Sequence, residues 1–190
     1  MNISPSMSPN GRYIVFASEK NLFTMDLYLA TASGKILKKL TTLTRDGHLD
    51  DLGFIESAGT WSRNSKEFAF VAFKNGQNVI VIKEIETGKT NDIIEIEHIP
   101  AIANPAWSPD GKTIIFTGMV DGQTDLYSYH LRSGRVRQLT DDIYAEIHPN
   151  FNREGTHVVF ATDEASMSNG RTHGKLKMGL AVLNLETGSK

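Results

Sequence analysis

A tight turn leads into a short apolar run in the stretch Trp107-Ser108-Pro109-Asp110-Gly111-Lys112-Thr113-Ile114-Ile115-Phe116. In such a turn proline fixes its own φ, aspartate can hydrogen-bond the backbone two residues on, and glycine accepts a positive φ. The apolar run is too short for a helix, and its β-branched and aromatic residues favour a strand covered on both faces. The stretch therefore predicts a hairpin turn that leads into a buried β-strand.

Related turns recur along the chain, and each is followed by a second turn of the Ser-Gly or Thr-Gly type. The first turns are Ser8-Pro9-Asn10-Gly11-Arg12, Ser62-Arg63-Asn64-Ser65-Lys66, the stretch above, and Asn152-Arg153-Glu154-Gly155-Thr156. The two turns are 23 residues apart in three copies, namely Gly11 to Gly34, Ser65 to Gly88 and Gly111 to Gly134. The fourth copy, Gly155 to Gly188, spans 33 residues. A fixed spacing of this size indicates an array of repeated supersecondary units.

Each copy predicts a four-stranded antiparallel unit of roughly 45 residues, the size of a β-propeller blade. We therefore predict an all-β fold in which residues 1–190 form one partial propeller domain. Its blades lie at about 1–41, 54–96, 101–140 and 145–190, and the last is incomplete. Because blades bury their faces against neighbours, we expect the chain to be part of a longer propeller of six or more blades. The alternative is a short gene product that oligomerises or stays open.

The stretch from Trp107 to Phe116, followed by Asp125-Leu126-Tyr127 and Leu139-Thr140-Asp141, resembles the repeat of TolB-like β-propellers (the WD40-like PD40 repeat). The resemblance covers nearly the whole chain, although the first turns of the second and fourth copies depart from the pattern. It is strongest to propeller segments of large bacterial extracytoplasmic proteins. This resemblance implies a scaffold domain and a periplasmic or otherwise extracytoplasmic location.

Composition excludes several classes of function. The net charge of −2 comes without a basic cluster, so nucleic acid is not expected as a partner. No apolar stretch approaches the roughly 20 residues that a membrane-spanning helix needs, so we expect no membrane insertion. The chain contains no cysteine, which rules out disulfides and thiolate chemistry. We expect no cofactor and no metal.

Catalytic motifs are missing from the sequence. It contains no Gly-x-Ser-x-Gly elbow, no His-Glu-x-x-His helix, no phosphate-binding loop and no dinucleotide fingerprint. We therefore expect a non-enzymatic scaffold that binds a protein or peptide through its loop face and channel mouth. The alternative is a substrate-gating or accessory propeller of a larger peptidase or hydrolase, prolyl-oligopeptidase-like or metallopeptidase, whose catalytic domain lies outside this chain.

The irregular loops that join blades are expected on one face, and they carry the candidate partner-binding residues. These candidates are Arg45, Asp46, His48, Asp50, Asp51, Asp141, Asp142, Glu146 and His148. Their carboxylates have two interpretations, a solvated loop surface or a site for a basic or amine-bearing partner segment. A metal site is a weaker alternative for residues 141–148, because their spacing follows no dedicated calcium loop.

The extra residues of the fourth copy lie within 163–175, a polar, glycine-bearing segment. It is either a tolerated surface insertion or a partner-contact loop, in which Arg171 and His173 are the expected contacts. Trp61, Trp107 and Phe151 occupy the same repeat position before the first turn. That equivalence favours packing between blades over an aromatic binding ring.

Overall fold

The computed structural model describes residues 1–21, 24–41, 49, 51–52, 59–167 and 177–190. Nearly all of its regular structure is β-strand, with one helix of four residues in the described part of the chain. The chain divides into two compact units, Met1–Glu97 and His98–Lys190.

The first unit contains two antiparallel sheets. Its first sheet has the strand order β1-β2-β3-β4, with β1 at Asn2–Met7, β2 at Tyr13–Asn21, β3 at Thr24–Thr31 and β4 at Ile36–Lys39. Its second sheet is built from β5 (Asp51–Leu52), β6 (Thr60–Trp61), β7 (Glu67–Lys74), β8 (Gln77–Glu84) and β9 (Thr90–Glu95). The short strands β5 and β6 pair with different parts of β7, so together they take the place of one first strand.

The second unit also contains two antiparallel sheets. The third sheet of the chain has the order β10-β11-β12-β13, with strands at Ala101–Trp107, Thr113–Val120, Gln123–His130 and Arg135–Gln138. The fourth has the order β14-β15-β16, with strands at Glu146–Phe151, His157–Thr162 and Gly179–Asn184. A single helical turn, α1 (Glu164–Met167), follows β15. The predicted all-β fold of antiparallel blades is confirmed.

The first turn of every copy closes with the same hydrogen bond. The donating amide and accepting carbonyl are Gly11 and Ser8 (2.9 Å), Ser65 and Ser62 (2.9 Å), Gly111 and Ser108 (2.9 Å), and Gly155 and Asn152 (3.1 Å). Ser65 takes a φ of 60° where the other copies have glycine. The departures of the second and fourth copies from the turn pattern therefore leave the turn hydrogen bond intact.

Apolar side chains fill the space between the two sheets of each unit. In the first unit Val15 and Leu27 belong to the same buried cluster as Trp61 and Phe68. The Trp61 indole Nε1 also donates to the Ser6 carbonyl of the neighbouring sheet at 3.0 Å. The aromatic residue before the turn thus packs between sheets in this unit.

In the second unit Ile115 and Leu126 of the third sheet share a buried cluster with Val158 and Phe160 of the fourth. Phe151, which precedes the first turn of the fourth copy, packs against that cluster. Across the residues that the structure describes, we find no helix with the length and apolar character needed to cross a membrane.

Candidate functional site

The predicted site residues fall into two groups. Six of them lie outside the described residues, namely Arg45, Asp46, His48, Asp50, Arg171 and His173. A seventh, Asp51, lies in strand β5, where only its backbone is described. The remaining four, Asp141, Asp142, Glu146 and His148, follow one another from the end of the third sheet into β14. The candidate site is therefore built from this segment of the second unit.

Side-chain hydrogen bonds to the backbone fix the connection between β13 and β14. The Asp142 carboxylate Oδ1 accepts from the Tyr144 amide at 2.8 Å, an Asx-type turn. The Gln123 side-chain amide donates to the Tyr144 carbonyl at 2.7 Å. The Asp163 carboxylate accepts from the Ala145 amide at 2.8 Å. These bonds hold the short connection in one conformation and bring Asp142 close to the first residue of β14.

Glu146 is that first residue, and its side chain is fully buried, with 0% exposed. Its Oε1 accepts a hydrogen bond from the Lys190 ammonium, which also pairs with Asp142 Oδ2. Its Oε2 has no hydrogen-bond partner within the described part of the chain. The interpretation of Glu146 as a solvated loop carboxylate is therefore wrong, because packing places it inside the protein beside a cation.

Two aromatic rings flank the same ammonium group. The Lys190 Nζ lies 5.8 Å from the ring centroid of Tyr144 and 5.6 Å from that of Phe160. Both distances are within the range in which the face of an aromatic ring attracts a cation. Two carboxylates and two rings thus surround one positive charge, and we call Asp142, Tyr144, Glu146 and Phe160 the ammonium site.

The ionisation of the pair follows from its burial. Burial raises the pKa of Glu146, and the negative charge of Asp142 raises it further, whereas the Lys190 ammonium and the Thr140 hydroxyl act in the opposite direction. Burial alone would lower the pKa of Lys190. The hydrogen bonds and charges of Asp142 and Glu146 outweigh that effect, so the pKa of Lys190 is raised. The site therefore favours the charged form of an amine.

Further negative charge lies next to the ammonium site. Asp125 is 3% exposed, and its carboxylate accepts from the Gln138 amide at 3.1 Å and from the Thr140 hydroxyl at 3.3 Å. Burial raises the pKa of Asp125, and the nearby charges of Asp141 and Asp142 raise it as well. Asp141 itself is exposed. This part of the second unit is therefore acidic despite the presence of Lys190.

His148 lies two residues after Glu146 but on the exposed side of β14. It takes a φ of 55° at a β-bulge, and Ser4 (φ 50°) and Asn104 (φ 48°) do so at the equivalent bulges of β1 and β10. Proline follows each of the three, so the sequence itself carries a signal for these bulges. His148 is thus at a repeated backbone feature and outside the ammonium site.

Sequence reasoning missed Phe160 as a member of the ammonium site and Lys190 as the cation bound in it. Phe160 reads as an ordinary strand residue, and Lys190 is 44 residues from Glu146, so spacing gives no signal for their contact. In the described part of the chain no group of three His, Cys, Asp or Glu side chains is placed to hold a metal ion.

A cavity of about 250 Å³ also lies in the second unit, between the first turns of the third and fourth sheets. Pro109, Ile115 and Phe151 contribute apolar surface, and Asp110 and Arg137 contribute charge. None of the predicted site residues lines it. The cavity and the ammonium site are therefore separate features.

Comparison with known proteins identifies the repeat. The sequence model of the family described as TolB beta propeller domain (PD40) matches residues 55–169. The Tol-Pal system protein TolB of Ruthia magnifica subsp. Calyptogena magnifica is 32% identical over 83 residues, which cover 43% of this chain and 19% of that protein. The chain therefore spans about a fifth of the length of this curated relative.

Solved structures show the same fold. The crystal structure of TolB from Acinetobacter baumannii superposes with a TM-score of 0.75 at 20% identity, covering 100% of this chain and 42% of that one. A prolyl endopeptidase superposes with a TM-score of 0.59 at 17% identity, covering 94% of this chain and 29% of that one. At these identities the likeness shows the fold alone, and it confirms the predicted β-propeller class.

Proposed function

We propose that this chain, which belongs to the family of TolB β-propeller domains, is a non-enzymatic scaffold that binds a protein or peptide through its acidic loop segment. The binding residues are Asp141, Asp142 and Glu146. The observation that carries the proposal is the capture of an ammonium group by Asp142 and Glu146 beside the exposed Asp141. A basic segment of a partner offers the same chemistry.

The exposure of the site supports binding from solution. Asp142 is 33% exposed and Lys190 is 26% exposed, whereas Glu146 at the bottom of the site is buried. A partner side chain can therefore approach from the Asp142 side. The buried carboxylate gives such a contact more strength than a fully solvated pair provides, because water screens it less.

The proposal extends to location and to the absence of catalysis. Resemblance to TolB supports an extracytoplasmic location, and the missing catalytic motifs support a binding role. Because the chain spans 42% of the Acinetobacter TolB chain, the activity and partners of a whole protein remain proposals. The similarity to a prolyl endopeptidase favours a second candidate, an accessory propeller of a larger hydrolase.

A displayed library of random peptides tests the binding proposal. Peptides selected on the immobilised chain are labelled, and their affinity is measured by fluorescence anisotropy. The triple variant Asp141→Asn, Asp142→Asn, Glu146→Gln should lose about tenfold or more in affinity, which corresponds to about 1.4 kcal/mol. Equal affinity of the triple variant would overturn the proposal.

A matched control removes the same charge elsewhere in the second unit. Asp121, Glu154 and Glu186 are exposed, and the variant Asp121→Asn, Glu154→Gln, Glu186→Gln should keep the affinity of the unmodified chain. Should the triple site variant lose its folded circular dichroism spectrum, the double variant Asp141→Asn, Asp142→Asn leaves the buried Glu146 in place and tests the same prediction.

A further inference from the structure

We propose that the ammonium site is a receptor for a primary amine and that the Lys190 side chain is its intrachain occupant, which an incoming lysine displaces. This inference rests on the proposed function, since it names the chemical group that the same site recognises. It adds a competition between the chain's own lysine and that of a partner.

The buried carboxylate of Glu146 supplies the requirement for a cation. An ionised carboxylate without water or a partner carries a large desolvation cost, and a close positive charge offsets it. Glu146 Oε1 is satisfied by the Lys190 ammonium, while Oε2 is without a hydrogen-bond partner in the described residues. The site therefore favours a bound positive charge and retains an acceptor for a further donor.

The arrangement of acceptors selects a compact cation. Oxygens from two different side chains, Glu146 and Asp142, converge on the single Nζ atom of Lys190. The rings of Tyr144 and Phe160 lie 5.8 and 5.6 Å from that atom. An ammonium is a point charge with three donors, whereas a guanidinium is a planar fork that pairs best with both oxygens of one carboxylate. The geometry accordingly favours lysine over arginine.

The bound Lys190 side chain is only partly covered. About a quarter of the Lys190 side chain is exposed, so an external amine can reach the same carboxylates. Asp141, which is exposed, adds further negative charge beside the site and so favours the approach of a cation. An incoming lysine offers the same ammonium group to the same carboxylates, so it competes with Lys190 for one site.

The test uses the whole chain and a defined probe, Nα-acetyl-L-lysine methylamide. Binding is followed at pH 7.5 by the shifts of backbone amide signals around residues 142–146 in two-dimensional NMR spectra. Lys190→Ala empties the site and should bind the probe about tenfold more tightly than the unmodified chain, because the competing intrachain ammonium is gone. The norleucine analogue, which lacks the ammonium, should not bind.

Three further variants locate the effect. Lys112→Ala removes an exposed lysine of the same unit and should leave probe binding unchanged. Glu146→Gln in the Lys190→Ala background should abolish binding, and Asp142→Asn in that background should weaken it without altering the core. A Lys190→Ala chain that binds no better than its Glu146→Gln derivative would overturn the proposal. Equal binding of the arginine analogue would overturn the selectivity for a primary amine.

The outcome is separable from that of the peptide experiment. If the triple site variant loses peptide affinity while Lys190→Ala gains none for the lysine probe, the scaffold function stands and the ammonium inference fails. If Lys190→Ala gains affinity for the probe while the peptides bind the triple site variant unchanged, the amine receptor stands and the proposed peptide-binding surface fails.

Discussion

Asp26 in the first sheet and Asp125 in the third occupy the same position of the repeat. Asp26 faces Ser18 across the strand pair, and Asp125 faces Gly118. Each carboxylate accepts a hydrogen bond from the threonine that follows the fourth strand, Thr41 in the first unit and Thr140 in the second. The two threonine hydroxyls also each accept a backbone amide at 2.9 Å, from Leu27 and Leu126.

The two regions differ in the residue that lies on the fourth strand opposite the tyrosine two positions after the aspartate. Lys39 faces Tyr28 and forms an ion pair with Asp26 at 2.6 Å, whereas Gln138 faces Tyr127 and donates an amide hydrogen to Asp125. The shared bonds belong to the fold, and the partner is free to vary. In the second unit the neutral partner leaves negative charge beside the ammonium site, so the same scaffold becomes acidic in one place.

Loss of the shared threonine should have the largest effect. Thr41→Val removes the acceptor of the Leu27 amide and a donor to Asp26, both of them buried. We expect a loss of about 2–3 kcal/mol in the free energy of unfolding, measured in urea, because buried polar groups lose their partners. Thr140→Val should cost a similar amount. Thr41→Ser, which keeps the hydroxyl, is the control, and an equal loss in that variant would argue against the hydrogen bonds as the cause.

Removal of Lys39 should have the next largest effect on stability, and it should cost more than the matched change at Gln138 in the third sheet. Lys39→Met takes the ammonium from the buried Asp26, and we expect a loss of about 1–2 kcal/mol in the free energy of unfolding. The figure is reduced because 29% of the Lys39 side chain is exposed to solvent. Gln138→Met, the matched change, should cost less. Equal losses in urea denaturation would show that the charge of Lys39 contributes nothing.

A lysine at position 138 should give Asp125 the kind of ion pair that Asp26 forms with Lys39. Gln138→Lys places an ammonium next to Asp125, and we expect a gain of about 0.5–1 kcal/mol at neutral pH. The gain is small because position 138 is exposed. Urea denaturation at low and high salt measures it, and the gain should shrink as salt screens the pair. A loss of stability would mean that the Gln138 amide is the better partner.

The smallest expected effect is a change in the pKa of Asp125 when its neutral partner Gln138 is replaced. Its carboxyl faces Gln138, Thr140, Asp141 and Asp142, and burial together with the two aspartates raises the pKa in the folded state. Stability from this group is therefore fully present below the pKa of the unfolded chain and is lost as pH rises through the folded pKa. NMR titration of the carboxyl carbon should give a midpoint above the ordinary value of aspartic acid. Gln138→Lys should lower that midpoint, and an unchanged midpoint would contradict the charge argument.

The strands and turns were predictable because their causes are local. Turn residues at fixed spacing and short β-branched runs specify hairpins between neighbours in sequence, and the structure has strands where the repeat predicts them. Asp141, Asp142 and Glu146 are likewise recognisable from the sequence as acidic residues of one segment. Their depth was not predictable, since the same pattern fits an exposed loop and a buried strand start.

The sequence by itself determined the repeat, the all-β class and the acidic character of residues 141–146. The tertiary structure alone decided that Glu146 is buried, that the Lys190 ammonium binds it and that the Phe160 ring lies beside that ammonium. The physical reason is distance along the chain. Hairpin pairing depends on residues a few positions apart, whereas the ammonium site joins the connection between β13 and β14, two strands of the fourth sheet and the chain that follows β16. Only packing brings these groups together.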